Sequence, residues 1–141
     1  MKTVYSLRDQ RDYIVQVQAA SLSSKPFGLK ITHGLFGSEE WWRNIETGVI
    51  PVIGYAGTIT RLFRAGMHNE SECFEMLTND GRSFQYDCKA TDKKDRKLYR
   101  VGARIELSFV LQELKQPVLT IEGKVHDTHS RSLIEAKIEA T

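Results

Sequence analysis

From Ala103 the side chains alternate along the chain. Ala103, Ile105, Leu107, Phe109 and Leu111 fall on one side of an extended backbone, and Arg104, Glu106, Ser108, Val110 and Gln112 on the other. A period of two is that of a strand with one buried face, whereas a helix would scatter these five apolar residues around its circumference. The same alternation predicts strands over 12–20 (Tyr13, Val15, Val17, Ala19), 27–32 (Phe27, Leu29, Ile31) and 57–63 (Gly57, Ile59, Arg61 and Phe63 on one face). It also predicts strands over 119–125 and 134–139, the last with Ile134, Ala136 and Ile138 inward and Leu133 outward. Pro117 reads as a breaker, so a tight turn is expected at 115–117, and HDTHSR as a second turn.

One stretch departs from period two. In GLFGSEEWWRNIETG, Ser38 suits a helix N-cap, Glu39 and Glu40 suit the positive first turn, and Gly48 suits the position after the end. A short helix is predicted over about 38–47. Trp41, Trp42 and the nearby Phe36 give it an aromatic side that covers a core or presents a surface to a partner or ligand.

The sequence around Asn79-Asp80-Gly81 signals a hairpin, and its apolar positions select the register. A type I turn with Gly81 left-handed in a bulge pairs Met76 with Phe84 and Phe74 with Tyr86. Phe74, Met76, Phe84, Tyr86 and Cys88 then share one face, and Cys73, Glu75, Leu77, Ser83, Gln85 and Asp87 the other. A slip of one residue would exchange the faces. The register separates Cys73 from Cys88, so no disulfide is expected; Cys88 becomes a buried thiol and Cys73 a partly exposed one.

About eight strands with one helix predict a mainly β fold, a single antiparallel β-barrel or strongly bent β-sandwich spanning 1–141. In the central part, GTITRLF, the DG hairpin, a charged loop and the strand beginning Val101-Gly102 resemble an OB-like barrel in layout over roughly 57–112. The resemblance rests on turn spacing.

Composition narrows function mostly by exclusion. With 40% hydrophobic and 27% charged residues, the 141-residue chain has the composition of a globular domain, and a net charge of +2 does not describe a strongly basic binding protein. No apolar run approaches the length of a bilayer span, and charged residues from Lys2 to Asp12 interrupt what a signal peptide would need, so a cytoplasmic location and no membrane partner are expected. No phosphate loop, zinc-protease helix, nucleophile elbow or paired-carboxylate motif is present, and nothing calls for a cofactor. His126 and His129 lie three apart on an expected turn without a third ligand, which makes a poor metal pair.

These exclusions favour a non-enzymatic binding module that engages a protein partner or a second copy of itself through Trp41, Trp42 and Phe36 or a sheet edge. Leu77, Val110 and Leu133 are expected as outer apolar residues for such a contact. The alternative is single-stranded nucleic-acid binding by Lys93, Lys94, Arg96 and Lys97, helped by Arg61, Arg64 and Arg82. A further alternative is a small-molecule pocket in the barrel mouth.

Overall fold

The computed structural model describes residues 1–140, with side chains at all of these except 117, 126 and 127. The chain divides into two compact units, Met1–Ser6 with Gly54–Ser108 and the residues from Ile134, and Leu7–Ile53 with Phe109–Leu133.

The first unit holds the sheet. Its strands are β1 (Lys2–Ser6), β2 (Val52–Ala65), β3 (Ser71–Thr78), β4 (Ser83–Asp87), the start of β5 (Arg104–Leu119) and the end of β6 (Val125–Ile138). They lie in the order β1-β6-β5-β2-β3-β4. The fold is mainly β and antiparallel, as the alternation predicts. With β1 and β4 at its two edges the sheet is open, a six-stranded form of the class instead of a closed barrel of about eight.

The hairpin has the register its apolar face requires: Met76 lies opposite Phe84, Phe74 opposite Tyr86 and Cys73 opposite Asp87. Thr78 N donates to Arg82 O at 2.7 Å, and Gly81 takes φ +87°, the left-handed geometry the bulge needs. Phe74 and Met76 are fully buried, while Phe84 and Tyr86, on the edge strand, are only half-buried. Ile105 and Leu107 are buried as expected.

In β2 the predicted parity holds to Ile59 and then reverses. Ile59 pairs with Met76 but Arg61 with Glu75, Leu62 with Phe74 and Phe63 with Cys73, because a bulge inserts one residue between Ile59 and Arg61. Gly57 crosses β3 so closely that a Cβ there would lie 2.1 Å from Leu77 O, leaving no room for a side chain. The charged segment becomes a 3-10 run, Lys93–Leu98, capped by Asp92, which accepts from Lys94 N at 3.0 Å. It leads into buried Tyr99, whose ring packs 5.4 Å from that of Phe74 and whose hydroxyl donates to Lys89 O.

Both cysteines are free and buried, so Cys73 is less exposed than its register alone implies. Its Sγ lies 3.3 Å from an Asp87 carboxylate oxygen; burial first, then this carboxylate, push its thiol up. Burial pushes the Cys88 thiol up to about 12. Both therefore stay protonated and unreactive at neutral pH. A thiol titration at pH 8 should find both sulfhydryls slow to react in the native protein and both released at once in denaturant. Finding no thiols in denaturant would overturn the pairing.

The second unit contains α1 (Arg11–Leu22), α2 (Glu39–Glu46) and the hairpin formed by the end of β5 and the start of β6. Helix α1 replaces the strand expected over 12–20. Tyr13 and Val15 created the false alternation, yet both are solvent-exposed, at 46% and 60%. The inward positions are Ile14, Val17, Gln18 and Ser21, with spacings of three and four that belong to a helix. Ser21 is buried, donating to Val17 O at 2.7 Å and accepting from Leu29 N at 3.1 Å. Instead of a strand over 27–32 there is one bridge, Leu29 to Leu114.

Helix α2 forms where expected. Ser38 caps it, accepting from Trp41 N at 3.2 Å, and Gly48 follows with φ +83°. The turn expected at 115–117 is absent, since β5 continues to Leu119. The reversal comes at 120–124, where Thr120 N donates to Lys124 O and Gly123 takes φ +79°. HDTHSR accordingly lies within β6.

Parity in β5 also changes at Phe109. Phe109 and Val110 are both buried, Leu111 is 36% exposed and Gln112 only 9%. Val110 and Leu133, expected outside, are buried, which leaves only Leu77 of the three proposed outer contacts exposed.

Candidate partner-binding site

Phe36, Trp41 and Trp42 do come together in the second unit, and they do so mostly on its inside. Phe36 and Trp41 have ring centroids 4.7 Å apart, and Trp41 meets Trp42 edge-on at the same distance. Phe36 and Trp41 are essentially inaccessible, at 2% and 0%, so neither presents a surface. The cause is local: the Ser38 cap starts the helix so that Trp41 points back over the loop, and Tyr13 of α1 closes edge-on against Phe36 at 6.0 Å. Trp42, at 9%, keeps one exposed edge.

That edge lies in a shallow groove of the second unit, lined by Arg8, Arg11, Ile14, Val15, Glu39 and Trp42. The Arg8 guanidinium sits 4.0 Å over the Trp42 ring and 3.3 Å from a Glu46 oxygen, which holds the cation flat against the indole. Gly37 forms part of the wall. A Cβ there would lie 2.5 Å from Ile14 Cγ2, so only glycine lets the loop approach α1 this closely. The groove thus combines an apolar floor with arginines at its rim. Sequence reasoning missed the α1 contribution because it assigned residues 12–20 to a strand.

The basic residues are differently placed. Lys93, Lys94, Arg96 and Lys97 are exposed on the 3-10 run of the first unit. The cations expected to help them are engaged elsewhere: Arg61 with Glu75, Arg64 with Glu72 and Arg82 with Asp80, at 3.6, 3.3 and 2.9 Å. Hydrogen bonds from Thr78 and Arg82 hold the Asp80 carboxyl below the usual carboxylate range. Tyr55 and Phe84 stack at 4.3 Å and Phe84 continues to Tyr86 at 6.2 Å, so these rings spend their faces on one another.

The side chain of His126 lies outside the described residues, and the expected His126–His129 pair with it. Among the described residues no three His, Cys, Asp or Glu side chains are grouped as metal ligands, and no helix is long and apolar enough to cross a membrane.

A comparison with curated proteins finds no match. Against family models, residues 1–139 match the one described as immunity protein RhsI2. With nearly its whole length covered, the chain belongs to the RhsI2 immunity protein family.

Proposed function

We propose that this chain is an immunity protein that neutralises a toxin by binding it, and that the groove between α1 and α2 in the second unit is the contact surface. Family membership supports the partner class. The observation that carries the surface is this groove, where Arg8 lies over Trp42 beside the exposed Arg11 and Val15 of α1. Aromatic and arginine side chains of this kind concentrate binding energy at protein interfaces, and an apolar floor with an arginine rim suits a toxin segment that carries an acidic residue next to an apolar one. We place this encounter in the cytoplasm. The nucleic-acid alternative draws no support from the family, and three of its assisting arginines are already ion-paired.

The test is co-expression of this chain with its cognate toxin domain, followed by a binding measurement on the purified pair. Wild type should restore growth and bind. Arg11→Glu and Val15→Glu alter exposed positions of α1, so both should fold normally, and each should weaken toxin binding at least about tenfold. Wild-type binding that neither substitution disturbs would remove the groove from the contact; no binding by the wild type would overturn the toxin reading.

A further inference from the structure

The β5–β6 hairpin of the second unit has a root that packs and a tip that does not. Burial extends along its two strands as far as Gln112 and Ser132. The root is then fastened on one side: Lys30 N donates to Glu113 O at 2.9 Å, Lys115 N donates to Gly28 O at 3.1 Å, and Leu29 bridges to Leu114. Lys115 Nζ also donates to the Ala20 and Ser23 carbonyls at 2.7 and 2.9 Å, which sets its charge at the negative end of α1. Lys115 is the last of these ties. From Gln116 to His129 every residue whose side chain is described, except Thr120, is exposed. The strand residues after Lys115, at about 3.3 Å each, and the turn carry the tip roughly 15 Å beyond it.

That tip is apolar. Val118, Leu119 and Val125 are 48%, 57% and 61% exposed, and Ile121, at the reversal, is fully exposed. Thr120 N donates to Lys124 O, which sets Leu119 and Val125 at facing positions of the two strands. Single exposed aliphatic residues are ordinary on a protein surface. A cluster of them on a projection fastened only at its root marks a contact. Between Val118 and Val125 the charges are Glu122 and Lys124, which cancel, so the contact is an apolar one.

Shape and backbone chemistry select the occupant. A projection fits a concavity. Edge-to-edge pairing of two copies is opposed by Pro117, which leaves this stretch of β5 short of a backbone donor, one of the features that blunt an exposed edge. A tip seated in a groove of another copy would be a heterologous contact, building rings or filaments instead of the two-fold pair most self-associating proteins form. The toxin implied by the family remains, and the tip belongs to the same unit as the α1–α2 groove, tied to α1 itself by Lys115.

We infer that the β5–β6 tip inserts into an apolar cleft of the toxin, with Ile121 deepest and Leu119 and Val125 on its flanks. The inference rests on the toxin-binding reading and adds to the groove a second contact of opposite shape. The Lys115 clamp sets the direction of the hairpin before binding, which lowers the cost of ordering it.

Ile121→Glu and Val125→Glu alter exposed positions, so both should melt within a few degrees of wild type. Each should weaken toxin binding at least about tenfold, whereas Met67→Glu, at an equally exposed apolar residue of the first unit, should leave it unchanged. Because both native thiols are buried, a polarity-sensitive dye on the Ile121→Cys variant reports on the tip alone. Its emission should move to shorter wavelength with saturating toxin and stay constant as the protein's own concentration rises. Wild-type affinity in Ile121→Glu, or a dye that saturating toxin leaves unshifted, would overturn the inference and leave the toxin reading standing. A shift driven by the protein's own concentration would make a second copy the occupant and overturn it equally. Failure of the wild type to bind would instead overturn the toxin reading and this inference with it.

Discussion

Leu107→Asp is expected to abolish the folded state. Leu107 is 2% exposed on β5, in line with the buried Ala103 and Ile105, and an aspartate there would place a carboxylate in the core. An uncompensated buried charge costs about 3–5 kcal/mol, on top of the lost apolar burial, against a total stability of roughly 5–15 kcal/mol for a typical domain. The protein should be found insoluble or unfolded by circular dichroism. The adjacent Glu106→Gln, on the exposed face, should melt within a few degrees of wild type. A soluble, cooperatively folded Leu107→Asp would mean that the assigned parity of β5 is wrong.

Trp41→Ala is the second large effect. The indole is fully buried between Phe36 and Trp42, so truncation leaves a cavity worth about 3–5 kcal/mol. Trp41 Nε1 has no hydrogen-bond partner, however. Trp41→Phe removes that orphaned donor while keeping an aromatic ring, so its loss should be much smaller than that of the alanine variant. Urea unfolding followed by the fluorescence of Trp42 measures both. Equal losses for alanine and phenylalanine would show that the Nε1 proton is satisfied in solution.

The parts of this fold that could be read in the sequence are those where a local rule and the burial pattern agree. The Asn79-Asp80-Gly81 turn needs a left-handed glycine, and the bulged register it implies is also the one that sets Phe84 and Tyr86 opposite Met76 and Phe74. Ser38 with Glu39 and Glu40 fixes the start of α2 by capping alone. The failures occur where the two signals separate. In α1, Tyr13 and Val15 are apolar yet exposed, so alternation pointed to a strand while the inward set Ile14, Val17 and Ser21 kept helical spacing. At residue 117 a proline suggested a break, but the reversal depends on the backbone of Gly123 a few residues later.

The candidate site was legible only in part for the same reasons. The aromatic composition of α2 identified the right region, but sequence could not show that the capped helix turns Trp41 inward and leaves Trp42 an edge beneath Arg8. Gln112 sat on the face taken as solvent-exposed, because nothing in the alternation signals that β5 exchanges its buried face at Phe109. A polar residue on a strand becomes informative only when its burial is known.

Binding of a toxin domain through the second unit is tested most directly by amide hydrogen exchange of the chain alone and saturated with toxin. Slowed exchange at the exposed start of α1, around Arg11–Val15, is the predicted result. Binding that leaves this segment unchanged and instead protects only β3, β4 and the Lys93–Leu98 run would contradict it.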